Sequence, residues 1–220
     1  MGILETTAAR VLSAYSVFLF LTILAQAAAR RFSTNVLLFS LQSAIIAIQV
    51  AVIGYHEKLM EAYVVAALIV LLKVVGIPYA FFRLIEKLKS PREVISATSA
   101  AESAFVAVGM IWLSYGAVRS YAGGVHAPED GLAAAVALIL TGAFLMISRR
   151  KALVQMIGLL VLENGIFLAA LTTTFGMPLI IEIGIFFDVL IGLLLMGLFV
   201  FRIRDTFDHL DVSKMRKLRG

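Results

Sequence analysis

Lys73, Glu163 and Asp188 are ionisable residues set deep inside long apolar stretches of the sequence. Each falls near the middle of its stretch, so at about 1.5 Å of rise per residue the three share one depth. An ionisable side chain at the centre of a membrane helix costs roughly 2.5–3.5 kcal/mol on insertion scales, so such residues face a bundle interior, pair, or handle ions. The chemistry on offer is movement of a proton or cation among an ammonium and two carboxylates in a low-dielectric interior. The structural alternative is a static ion pair between Lys73 and one of the carboxylates, because a buried pair can be neutral or unfavourable to stability.

The neighbours of these residues add detail. Gly184, Asp188 and Gly192 recur at i, i+4 and i+8, leaving room beside the carboxylate for water or for a closely packed helix. Lys73 is followed by Gly76, Ile77 and Pro78, and Pro78 has no N–H to offer the carbonyl of Val74. A free acceptor and a kink are therefore expected beside the lysine. Glu182, four residues past Pro178, either opens a route to bulk water or is simply solvated. Glu102 reads as a carboxylate at the start of a helix, stabilised by the helix dipole. Gln42 and Gln49 share a helix face and Asn164 adjoins Glu163; they either join a hydrogen-bonded water file or act as interhelical glue.

The elements that must hold these groups follow from composition. Of 220 residues, 61% are hydrophobic and 15% charged, and the mean hydropathy of +1.00 belongs to a chain that lives in lipid. A bilayer core about 30 Å thick takes roughly 20 apolar residues per helix. Hydropathy and turn punctuation predict an all-α, polytopic membrane protein with seven spans, near 8–28, 35–55, 61–84, 101–121, 131–148, 152–173 and 178–203. Too little chain is left over for a soluble catalytic domain, so activity is expected within the helices or in partner proteins.

With seven spans the basic residues sort by side. Arg30, Arg31, Arg83, Lys87, Lys89, Arg92, Arg149, Arg150, Lys151 and the tail's Arg202, Arg204, Lys214, Arg216, Lys217 and Arg219 share one face, against Arg10, Lys58 and Arg119 on the other. The positive-inside rule then puts the N-terminus outside and the C-terminus in the cytoplasm, and Tyr55, Tyr63, Tyr115 and Tyr121 fall near the outer interface as an aromatic belt. The net charge of +5 reflects topology and anionic lipid, with no sign of nucleic-acid binding. Arg30-Arg31 after the first span and Arg149-Arg150 after the fifth mark a weak parallel repeat, each followed by two spans of which the second carries a central ionisable residue.

Other chemistries are excluded or set aside. The chain has no cysteine, so disulfides, thiolate-held clusters and cysteine nucleophiles are out. His56, His126 and His209 fall in separate loops or the tail, without metal-ligand spacing. Met1-Gly2-Ile3-Leu4-Glu5-Thr6 fits the loose myristoylation pattern, but at the end expected outside. Ala25-Gln26-Ala27 looks like a signal-peptidase site followed at once by Arg30-Arg31, and the first helix is read as a retained span.

Leu162-Glu163-Asn164-Gly165, Pro178, Glu182-Ile183-Gly184-Ile185 and Asp188, with Gln42-Ser43, Lys73 and Pro78, and the tail Leu210-Asp211-Val212 to Leu218-Arg219-Gly220, form a set. This set resembles component E of hydrogenase-4 and formate-hydrogenlyase-type membrane hydrogenases. The resemblance covers almost the whole chain, is strongest from Arg149 onward and is weak in spans 1 and 4. The last helices are in turn similar to the K-type subunit of respiratory complex I and the C-type subunit of multisubunit cation/proton antiporters. Asp188 falls at the second membrane carboxylate of the complex I subunit, whereas Leu160 stands at the first and Glu163 follows one helical turn later. On this reading residues 1–148 are the N-terminal helices and 149–220 the K-subunit-like helices with a cytoplasmic tail, in one integrated membrane domain.

The resemblance implies a non-catalytic subunit in a multi-pass arm of the prokaryotic cytoplasmic (inner) membrane. Its partners would be antiporter-like membrane subunits, the membrane anchor of the redox module, hydrophilic redox subunits and lipid. The proton or sodium path would run through Lys73, Glu163, Asp188 and Glu182, supported by Pro78, Asn164, Gly184, Gly192 and Gln42. No cofactor or metal is expected in this chain; nickel-iron and iron-sulfur centres would belong to partners. The alternatives are a subunit of a multisubunit cation/proton antiporter, an autonomous small transporter, or a passive anchor.

Overall fold

The computed structural model describes residues 2–88, 99–121, 128–174 and 192. Among these the regular elements are all helical: α1 (Gly2–Ala28), α2 (Phe32–Glu57), α3 (Met60–Ile69), a π-helical stretch (Val70–Gly76), α4 (Ile77–Leu88), α5 (Ala100–Tyr121), α6 (Glu129–Ser148) and α7 (Ala152–Thr174). Five runs are long and apolar enough to cross a membrane, namely Phe32–Glu57, Met60–Arg83, Ala100–Ser120, Glu129–Ser148 and Leu153–Thr173, and α1 adds the shorter apolar run Leu12–Ala28. They coincide with the first six spans read from the sequence. Of the span at 178–203 only Gly192 lies within the described residues, and it is helical. The chain divides into two compact units, Met1–Ile185 and Phe186–Gly220, and α1 to α7 all belong to the first.

Local chemistry sets the helix ends. At the end of α2 Lys58 takes the left-handed conformation (φ 56°, ψ 34°) and its N–H donates to Gly54 O, which also accepts the Leu59 N–H at 3.0 Å. A side-chain-bearing residue there costs roughly 1–2 kcal/mol, offset by the tight reversal that lays α3 against α2. That reversal needs Gly54, where a Cβ would come within 2.6 Å of Ala62 Cβ. The start of α5 is a reciprocal cap: Ser99 N–H donates to Glu102 Oε2 at 2.7 Å and Glu102 N–H to Ser99 Oγ at 3.1 Å. Glu102 is thus a helix-start carboxylate, as its position implied.

Helices α1 and α2 pack together, α1 also meets α5 and α6, and α2 meets α3, the π-helical stretch and α7. The closest pairing is between α6 and α7. A Cβ on Gly142 would stand 2.5 Å from Gly158 O and from Leu162 N, one on Gly158 2.8 Å from Gly142 O, and one on Gly165 2.7 Å from Ile139 N. Such backbone approach is how helices gain dispersion contacts where no hydrophobic force drives them together. It also fixes the rotation of α7, and therefore the direction in which Glu163 and Asn164 point. On the outside, Phe105 (79% exposed) and Trp112 (78%) on α5 present bare apolar side chains, as suits a lipid-facing surface.

The two arginine-bearing links have matching geometry. Arg31 before α2 has φ −100° and ψ 134°; Arg149 after α6 has φ −103° and ψ 131°. In each an amide side chain from the following helix donates to the arginine's carbonyl, Asn35 Nδ2 to Arg31 O at 3.0 Å and Gln155 Nε2 to Arg149 O at 2.9 Å.

Candidate functional site

The π-helical stretch is where the third span meets the buried charges. Along this span the buried positions are Ala62, Val65 with Ala66, Ile69 and Lys73, one or two residues per helical turn, then Pro78 five residues after Lys73 and Phe81 three more on. A regular α-helix would carry either Lys73 or the Pro78–Phe81 face out of the bundle. The wider turn inserts one residue and brings both inward. Pro78 supplies the cause, since its ring crowds the carbonyl four residues back and it offers no N–H. Ile77 N–H reaches back five residues to Leu72 O. The carbonyl of Val74, expected to be a free acceptor, is in fact taken by Ser40 Oγ of α2 at 2.9 Å. The break beside Lys73 is thus a π-helical widening whose acceptor is satisfied.

Lys73 is 3% exposed. Its Nζ lies 2.9 Å from Glu163 Oε1 and donates to Asn164 Oδ1 at 3.1 Å. Asn164 Nδ2 in turn donates to Ser43 Oγ of α2 at 3.0 Å, so the amide's orientation is set by a donor on one side and an acceptor on the other. Glu163 (6% exposed), Asn164 (1%) and Ser43 (0%) are all buried. Three elements therefore converge: the π-helical stretch brings the ammonium, α7 the carboxylate and amide, and α2 the hydroxyl. The result is a buried, hydrogen-bonded ion pair, a type worth more to function or to a unique packing than to stability.

Gln42 and Gln49 on α2 are both fully buried, and their amide oxygens and nitrogens have no hydrogen-bond partner among the described residues. A buried amide left unpaired costs roughly 1–3 kcal/mol, so each of these groups stands to gain from a polar partner. Glu182, Gly184 and Asp188 lie outside the described residues. At Gly192 a Cβ would meet nothing within 4 Å. No group of three or more potential metal ligands occurs among the described residues.

Sequence reading did not single out Ser40, which completes the π-helical turn, and gave Arg149 only a topological role. The signal for Ser40 was present: it stands just before Gln42-Ser43 in an otherwise apolar stretch. Arg149 is 1% exposed and its Nη2 donates to Ala27 O, near the end of α1, at 2.5 Å. Burial first, and the nearby Arg30 charge second, lower this guanidinium from its ordinary value. At the other end of the bundle Tyr115 OH donates to Asp130 Oδ1 at 2.9 Å, tying α5 to α6.

A stretch of 90 residues, 41% of this chain, is 39% identical to the uncharacterised protein Rv0085 of Mycobacterium tuberculosis and covers 41% of that protein. The match thus spans less than half the length of this relative. No family model matches the chain, and no solved structure does.

Proposed function

We propose that this chain is a non-catalytic membrane-arm subunit of a redox-driven, ion-translocating complex of the membrane-bound hydrogenase or complex I-like kind. In this reading seven spans cross a prokaryotic cytoplasmic membrane, with the N-terminus outside and the C-terminus in the cytoplasm. The observation that carries the proposal is the Lys73–Glu163 pair, 2.9 Å apart and held by Asn164 and Ser43 at mid-span depth beside a π-helical turn. A passive anchor has no use for such a pair, and a substrate transporter would need more polar volume than the ion pair and amide found here among the described residues.

Lys73 and Glu163 form one station of a proton or sodium path, with Asp188 and Glu182 further stations and Gln42 and Gln49 its hydrated flank. When charge arrives from a neighbouring subunit the pair loosens, and Asn164 and Ser43 keep hydrogen bonds available to whichever group is exposed. A charge moved across 100 mV involves about 2.3 kcal/mol, comparable to one charge-assisted hydrogen bond of about 1.5–3 kcal/mol, so making and breaking this contact is on the scale of the work to be done. The test is Glu163→Gln and Asp188→Asn in the assembled complex, measured as redox-linked ion uptake by inverted membrane vesicles. Both variants should assemble and retain electron transfer to artificial acceptors, and at least one should lose translocation. Wild-type ion-to-electron ratios in both would reduce the pair to a packing element.

A further inference from the structure

The link between α6 and α7 holds a buried cation that the ion path does not use. Arg149 spends Nη2 on Ala27 O, a carbonyl near the C-terminal end of α1 where a positive charge is favoured. Its Nε and Nη1, more than half of a guanidinium's N–H donors, have no hydrogen-bond partner among the described residues, and neither has the buried Ser148 Oγ beside it. A guanidinium keeps its charge at any working pH, and burying its donors without an acceptor carries a desolvation cost that an anion would remove.

The two links that meet here are basic in sequence. Arg30, Arg31, Arg150 and Lys151 lie in the two links, and no aspartate or glutamate occurs from residue 26 to 41 or from 147 to 162. The helices that start here, α2 and α7, have no acidic residue in their first turns, and α2 has no side-chain cap. Their N-terminal N–H groups add partial positive charge. Arg30 lies close enough to Arg149 for the two charges to interact, and it is exposed.

We propose that this junction binds a phosphate oxyanion, with Arg149 as its buried ligand, Ser148 Oγ as a hydroxyl donor and Arg30 as the second cation at the mouth. Because the links follow directly on apolar helix ends, the site sits at headgroup depth, where the phosphate of an anionic phospholipid is within reach. Free inorganic phosphate offers the same chemistry.

The test uses the full chain in nanodiscs of phosphatidylcholine, with phosphatidylglycerol titrated in or with inorganic phosphate added at constant ionic strength, and reads the thermal midpoint. Phosphatidylglycerol should raise the midpoint of the wild type. In Arg149→Gln the amount needed for half the effect should rise about tenfold, as loss of a charge-assisted contact implies. Arg30→Gln changes a side chain that is exposed and should shift the titration in the same direction even if Arg149→Gln folds poorly. Arg10→Gln, which removes an equal charge elsewhere, should not. If inorganic phosphate reproduces the gain, the ligand is free phosphate; if it does not, the ligand is lipid. Equal lipid responses in wild type, Arg30→Gln and Arg10→Gln, or no gain from either source, would overturn the proposal.

Discussion

Replacing Lys73 with methionine keeps the apolar stem of the side chain at nearly the same length and removes the ammonium. The loss includes the 2.9 Å contact to Glu163 Oε1 and the 3.1 Å bond to Asn164 Oδ1, and it leaves a carboxylate 6% exposed without this countercharge. Removing one partner of a buried pair costs about 3–5 kcal/mol, a large part of a total stability that is usually about 5–15 kcal/mol. Glu163→Gln alone should cost less, about 1.5–3 kcal/mol, because the amide oxygen still accepts from Nζ while the charge assistance is gone. In the double variant Lys73→Met/Glu163→Gln both members of the pair are neutral, and it should be more stable than Lys73→Met by about 2 kcal/mol or more. Unfolding in mixed micelles of rising denaturing-detergent content, followed by far-ultraviolet circular dichroism, gives the four stabilities of this cycle. If the double variant loses the sum of the two single losses, the residues are not coupled and the site drawn around them is wrong.

Contacts elsewhere in the bundle give further expected outcomes. Gly142→Ala should separate α6 from α7 and cost about 1–3 kcal/mol, because the new Cβ would lie 2.5 Å from two backbone atoms of α7. Gly109→Ala, with nothing within 4 Å, should be neutral or stabilise by about 0.5–1 kcal/mol, and the same unfolding assay distinguishes the two. Ser40→Ala should cost about 1 kcal/mol by orphaning Val74 O, yet almost nothing in a Pro78→Ala background, where residue 78 can donate to that carbonyl; equal costs in both backgrounds would refute the account of the π-helical turn. Single cysteines at Ser90, His126 and Met215 of this cysteine-free chain test the orientation in intact cells. A membrane-impermeant thiol reagent added outside should label position 126 alone, and labelling at 215 would invert the topology.

The apolar helices of the described residues and the polar residues buried among them were legible in the sequence because both rest on one-dimensional signals. Apolar runs of about 20 residues report helices whatever they pack against, and Lys73, Glu163 and Asn164 stand out because polar groups are costly in such runs. The missing N–H of Pro78 and the capping role of Glu102 were legible for the same reason, since each is a property of a residue and its near neighbours. That Glu163 faces Lys73 was not, because the sequence reading puts Glu163 and Asp188 at one depth and depth alone says nothing of which way a side chain turns. Within the described residues the contact with Glu163 came from rotation: glycines at 142, 158 and 165 bring α6 and α7 into backbone contact and turn Glu163 and Asn164 inward, while one extra residue in the π-helical turn swings Lys73 to meet them. The caps on Val74 O and Ala27 O likewise belong to Ser40 and Arg149, 34 and 122 residues away in the chain. Pairings across such distances depend on helix rotation and separation, which follow from summed contacts along whole interfaces and leave no mark at any single position of the sequence.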